Sequence, residues 1–321
     1  MGLTERQRDR AVGAVLGSAV GDALGAGYEF ESAPLGSEGP RMIGGGLGGF
    51  APGEWTDDTS MAWCVLEVAA SGADLRTDEA LNAIARHFRD WYETGPADIG
   101  TQTASVLARA GSRPTAAAMT AVSDRLHAST GRTAGNGSLM RTHPVALAHL
   151  DDAAAAAEAA WKVGTLTHGD PVAGEACVLW TLAVRHAIVE GEFDLHDGLA
   201  YLTPEAAGRW AALIDEAERE QPGRFTPNGF VVTALQAAWS AIVHTPVDPQ
   251  RSERHLGDAL TTAIRIGNDT DTVAAIAGAL LGARWGTSAL QGGWLDLLHG
   301  YPGLRADDLA ALAERAVDAT G

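Results

Sequence analysis

The sequence predicts an all-α fold, and three observations carry that prediction. Apolar residues recur at helical spacing along almost the whole chain. No run alternates apolar and polar residues for long enough to suggest a sheet. The β-branched pairs Val231–Val232 and Ile242–Val243 sit inside an Ala- and Leu-rich helical window.

Taken in order, the first predicted helix covers 5–25 and carries Gly13, Gly17, Gly21 and Gly25 at every fourth position. These glycines stack on one side. Each costs a helix about 1 kcal/mol relative to alanine, so close approach of another helix is the expected return. Segments 59–71, 77–94, 101–111 and 114–128 follow by length and spacing, the third opening after Pro96. Segments 152–165, 170–191, 204–220, 228–243 and 254–266 read the same way. The helix predicted at 270–286 repeats the small-residue spacing with Gly278 and Gly282, and 304–319 closes the series. The long Gly- and Pro-rich stretch 33–55 reads as a functional loop or lid. No linker or shift in composition divides the chain, so a single compact domain over 1–321 is expected.

The 321 residues include 41 acidic and 23 basic side chains, for a net charge of −18. That balance argues against duplex nucleic acid as a partner, since phosphate binding needs clustered Lys and Arg. Cys64 and Cys177 lie in apolar helical runs, too few for a disulfide framework or a Cys-based zinc site. Glu5 and Asp9 dilute the basic N-terminal segment, and Asp22 interrupts the apolar stretch from Ala11 to Gly27. That stretch therefore reads as neither a signal peptide nor a membrane span. A soluble, cytoplasmic monomer with no membrane partner is expected.

Chemistry concentrates in two acidic clusters, Thr56-Asp57-Asp58-Thr59 and Asp269-Thr270-Asp271-Thr272, each next to an apolar helical run. Helix capping would account for one of them. Two clusters brought together would crowd four carboxylates, which repel unless cations hold them. Oxygen-only donors select hard cations such as Mg²⁺, Mn²⁺ or Ca²⁺, and four negative charges balance two divalent ions. Smaller features accompany them. Glu29 ends the first helix, and Asp98 precedes another. Gly135-Asn136-Gly137-Ser138 forms a glycine-flanked turn suited to an anion, and His168 lies on a turn before a helix.

This constellation resembles the ADP-ribosylglycohydrolase family. The matching stretches run in family order: Gly17 to Gly25, Tyr28-Glu29-Phe30, Trp55 to Met61, Gly135 to Arg141, Thr167-His168 and Asp269 to Gly278. Asn268 stands where the family usually has glycine. Around Asp98 and Gly229–Ala238 the chain looks most like the bacterial dinitrogenase-reductase-activating branch, which acts on ADP-ribosylated arginine.

The resemblance implies an orthogonal multi-helix fold with a binuclear metal site at the centre of a cleft. Thr56, Asp57, Asp58, Asp269, Asp271 and Thr272 would hold two Mg²⁺ or Mn²⁺ ions. Gly135, Asn136, Gly137, Ser138 and His168 would line the ADP-ribose cleft. Asp98 is the first candidate for the catalytic carboxylate and Glu29 the second. The implied substrate is an ADP-ribosylated protein and the product ADP-ribose. Serine-linked ADP-ribose, O-acetyl-ADP-ribose and a non-catalytic ADP-ribose binder are the alternatives. Trp55, Tyr28 and Tyr201 are candidate partners for the adenine ring.

Overall fold

A computed structural model describes residues 2–319, so residue 1 and residues 320–321 of the expected domain lie outside the described part. The helices are α1 (Glu5–Gly25), α2 (Asp57–Ala69), α3 (Asp78–Glu93), α4 (Thr101–Arg109), α5 (Ala116–Thr130), α6 (Pro144–Ala148) and α7 (Ala153–Thr165). They continue with α8 (Pro171–Glu190), α9 (Pro204–Arg219), α10 (Val231–His244), α11 (His255–Arg265), α12 (Thr270–Trp285), α13 (Gly292–Leu297) and α14 (Ala306–Asp318). Short 3₁₀ turns join several of them, including Ala26–Glu31 and Asn136–Arg141.

Local chemistry sets many of these boundaries. Thr4 and Gln7 form a capping box at α1. Thr77, Thr115, Asp152, Asp170 and Thr203 accept first-turn amides at α3, α5, α7, α8 and α9. Gly131 and Gly191 end α5 and α8 in the left-handed conformation.

The expected all-helical architecture is observed, with local differences. The short helices α6 and α13 are additional. Segment 304–319 begins as a strand: β1 (His299–Gly300) pairs antiparallel with β2 (Leu304–Arg305) before α14 starts. Segment 228–243 becomes helical only at Val231, because Gly135 bridges Phe230 and the Val231 amide donates to the Ala134 carbonyl. By length and composition, Glu5–Glu31 and Pro171–Glu190 could each cross a membrane, contrary to the expectation for the first. Their apolar windows are 100% and 78% buried inside the fold. Both cysteines are free and buried.

The glycine stripe explains the centre of the molecule. α1 and α12 lie antiparallel with their backbones touching. A methyl group on Gly13, Gly17 or Gly21 would strike the carbonyl oxygens of Gly282, Gly278 and Ala274, and one on Gly25 would meet the backbone of Thr270 and Asp271. This pairing brings the C-terminal end of α1 against the N-terminal end of α12. The first of these ends carries Asp22 and leads to Glu29; the second carries Asp269 and Asp271.

Gly17→Ala is expected to lower the urea midpoint markedly. Overpacking of this kind costs about 1–3 kcal/mol or more, and here the obstruction is backbone that cannot turn away. Gly208→Ala, on an open face of α9, is the control and should gain about 0.5–1 kcal/mol. Equal midpoints for the two variants would contradict the close-packing account.

Candidate active site and metal centre

Asp22 organises the first acidic cluster. Its carboxylate accepts from the amides of Thr56 and Thr59 at 3.0–3.1 Å and from the Thr59 hydroxyl at 2.6 Å. A buried carboxylate from α1 thus sits on the N-terminus of α2, where the helix dipole favours negative charge. Asp57 and Asp58 fall in the first turn of α2, and Thr56 is its N-cap. The Thr56 and Thr272 hydroxyls donate to Asp58 Oδ2 at 3.1 and 3.3 Å. Sequence reasoning treated Asp22 only as an interruption; a lone acid beside a glycine stripe was the available signal.

The second cluster is fixed by loops. Asp269 is the N-cap of α12 but makes no side-chain capping bond. Its Oδ2 accepts from Asn136 Nδ2 at 2.7 Å, and its amide donates to Asn228 Oδ1 at 3.0 Å. Asn228 also donates to the Gly267 carbonyl, so it ties the second cluster to the segment before α10. Sequence reasoning missed Asn228. Asn268 adopts a left-handed φ of 63°, which asparagine tolerates better than most residues. This accounts for its standing in a glycine position. The Phe30 amide donates to the Asn268 carbonyl at 2.7 Å, which locks the Glu29 segment to the same loop.

The two clusters meet. One carboxylate oxygen each from Asp22, Asp58 and Asp271 lies within 4.8 Å of the others, and so does a second group of Glu29, Asp269 and Asp271. Among the described residues, no Lys, Arg or His forms an ion pair with any of these acids. Burial and mutual repulsion therefore favour their protonated forms. Burial lifts Glu29 to about 8, helped by Asp269 and Asp98. Asp57 rises to about 7 through burial, Asp98 and Asp22. Burial lifts Asp22 to about 6 against the pull of its Thr donors. Asp58 and Asp271 stand well above the carboxylate range, chiefly through burial.

Buried Glu29 Oε2, Asp58 Oδ1 and Asp271 Oδ1 have no hydrogen-bond partner among the described residues. Orphaned oxygens of this kind in an oxygen-only, anionic cage fit the requirements of a hard divalent cation.

Beside the cage lies a cleft of about 340 Å³. Asp57, Asp269, Asp271 and Thr272 face it from the side of the acidic clusters. Glu29, Asp98, Gly135, Asn136, Gly137 and His168 line it as well, together with residues 99–103 at the start of α4. Asp98 is not a helix cap: Gly100 holds that position at α4, and its amide is 3.4 Å from Asp57 Oδ2. The glycine-rich loop contributes Leu47 to the rim.

Four expected cleft residues lie elsewhere. Ser138 is fully buried behind the cleft, because the tight 3₁₀ turn swings its side chain toward Cys177. Tyr28 and Trp55 are core residues, and Tyr201 lies on a separate pocket with Trp161. The exposed aromatic rings near the cleft are instead Phe30, on its wall, and Phe230, next to Gly229.

Comparison with known proteins settles the family. The sequence model of the ADP-ribosylglycohydrolases matches residues 3–321. The chain belongs to the ADP-ribosylglycohydrolase family. It is 30% identical over 311 residues to ADP-ribosylarginine hydrolase Tri1 of Pseudomonas putida (strain GB-1), covering 91% of this chain and 75% of that protein. It is likewise 30% identical over 297 residues to the ADP-ribosyl-dinitrogen reductase glycohydrolase of Rhodospirillum rubrum, covering 90% of each. A solved chain described as an ADP-ribosylglycohydrolase-related protein complex superposes with a TM-score of 0.71 at 26% identity, over 99% of this chain and 100% of that one.

Proposed function

We propose that this ADP-ribosylglycohydrolase removes ADP-ribose from a modified protein by hydrolysing the N-glycosidic bond to arginine. The observation that carries the proposal is the meeting of Asp58 and Asp271 beside a cleft that also holds Glu29, Asp98 and the Gly135–Gly137 turn. Arginine is favoured as the linkage because two relatives at 30% identity are an ADP-ribosylarginine hydrolase and a dinitrogen reductase glycohydrolase.

In this reading Thr56, Asp57, Asp58, Asp269, Asp271 and Thr272 hold two Mg²⁺ or Mn²⁺ ions. Bound there, the ions supply orientation and polarisation of the ribose hydroxyls. Asp22 does different work, since its oxygens are occupied by Thr56 and Thr59; it fixes the turn that presents Asp57 and Asp58. Positioning by such a frame can contribute about 7–11 kcal/mol when geometry is ideal.

The Asp98 charge adds to burial in holding Glu29 protonated. Two-carboxylate glycoside hydrolysis uses one such group as acid and the other as base. Asp98 takes the proton of the attacking water as its oxygen bonds to the anomeric carbon; the C–N bond to arginine breaks, and the Glu29 carboxyl gives its proton to the departing guanidine nitrogen. The Gly135–Gly137 turn and His168 receive the diphosphate, and Phe230 offers its face to the adenine.

The test is mass spectrometry on arginine- and serine-ADP-ribosylated peptides with each metal. Release of ADP-ribose from the arginine adduct, with Mg²⁺ or Mn²⁺ and not after chelation, is expected. Preferential release from serine, or binding without release, would overturn the proposal. In the same assay Asp98→Asn should lower turnover about 10²–10⁴-fold with little change in ADP-ribose affinity. An equal loss of affinity would make Asp98 a ligand contact.

A further inference from the structure

Arg141 is completely buried, yet it meets no carboxylate among the described residues. Burial lowers its pKa only to about 10, so it remains a cation and a pure donor. Its guanidinium lies over the Phe88 ring at 4.7 Å. Nη1 donates to the Gly137 carbonyl at 3.0 Å, and Nη2 donates to Thr167 Oγ1 at 2.7 Å. One buried cation thus touches both the glycine turn and the residue before His168.

Thr167 Oγ1 is also 2.8 Å from His168 Nδ1 and makes no other hydrogen bond among the described residues. Arg141 can only donate, so the threonine oxygen must accept from it. The hydroxyl proton then has a single acceptor in reach, His168 Nδ1. With Thr167 fully buried, a proton on Nδ1 would strand that hydroxyl without a partner. Burial, reinforced by Arg141, also holds His168 well below its ordinary pKa, so the ring is neutral. Its one proton therefore belongs on Nε2. That atom makes no hydrogen bond among the described residues, and it faces the cleft beside Gly135 and Gly137. Methyl groups on those glycines would lie 3.5 and 3.4 Å from it.

We infer that Arg141 and Thr167 are positioning residues that fix His168 as its Nε2-protonated neutral tautomer, giving the cleft a hydrogen-bond donor for phosphate oxygens of the ligand. The ligand part of this inference rests on the ADP-ribose reading above; the tautomer does not. An acceptor at Nε2 would repel a phosphate oxygen, whereas a donor attracts it without adding a second buried charge next to Arg141. The Arg141 bond to Gly137 holds the turn and the ring in one register.

Nitrogen NMR of the histidine-labelled protein reads the tautomer directly, with His168→Asn assigning the signal. His168 should show a proton on Nε2 and stay neutral where an ordinary imidazole titrates. Thr167→Val should mix the tautomers and weaken ADP-ribose binding about tenfold by calorimetry. Thr167→Ser should restore both. A proton on Nδ1 in the wild type, or a Thr167→Val protein with unchanged tautomer and affinity, would overturn the inference. If Thr167→Val does not fold, the wild-type spectrum decides. If the wild type shows the Nε2 tautomer but binds no ADP-ribose, the phosphate assignment and the functional reading above fail while the relay stands.

Discussion

Asp58→Asn is expected to reduce turnover by at least a thousandfold, about 4 kcal/mol of transition-state stabilisation, while leaving helical content unchanged. The substitution preserves shape. Asparagine Oδ1 can still accept from the Thr56 and Thr272 hydroxyls that now bond Asp58 Oδ2. What it removes is one negative charge and the unpartnered Oδ1 that faces Asp271. Two signatures should therefore separate. In chelator the variant should melt no lower than the wild type, because the burial and repulsion that oppose ionisation of Asp58 no longer act on a neutral amide. On adding Mg²⁺ or Mn²⁺ the wild type should gain thermal stability and the variant much less, since binding to the folded state alone raises stability by mass action. Turnover near the wild-type level would remove Asp58 from the metal cage.

The second large effect is a pH dependence that reverses with metal. In chelator, Asp57 at about 7 and Glu29 at about 8 lie far above the ordinary carboxylate range near 4. The folded state then binds these protons more tightly than the unfolded chain does. Their stabilisation is complete below the unfolded pKa and is lost as pH rises through about 7 and about 8. Buried His143, pushed down to about 3 by burial, acts in the opposite sense at lower pH, between about 3 and about 6.5. The decisive window is therefore about pH 6.5 to 8.5. Melting temperature without metal should fall across it, and Glu29→Gln should flatten the fall. With Mg²⁺ or Mn²⁺ present the decline should disappear, because the ionised carboxylates are then the binding form. A flat metal-free profile in the wild type would show that the carboxylates are not crowded as described.

The centre of the fold was legible because its signals are local and costly. Four glycines in one helix demand a partner backbone, and the spacing in α12 supplied it. Paired acids beside apolar helices likewise pointed to the cage that the structure brings together. Helices α6 and α13 were missed because five or six residues cannot display a helical period. The start of α10 was misplaced because its N-terminal residues pair with Ala134 and Gly135, far away in sequence. The roles of Asp22 and Asn228 escaped for the same reason: each supports an acidic turn contributed by a different segment. Ser138 was assigned to the cleft from its motif. Which way a side chain leaves a 3₁₀ turn depends on the packing behind it.

The hydroxyl of Thr270 reaches the carbonyl of Gly25 across 245 residues of chain. During synthesis, then, the first helix emerges with its glycine face uncovered long before its counterpart exists. The two acidic clusters can therefore meet only once α12 has been made, with α13 and α14 still to follow.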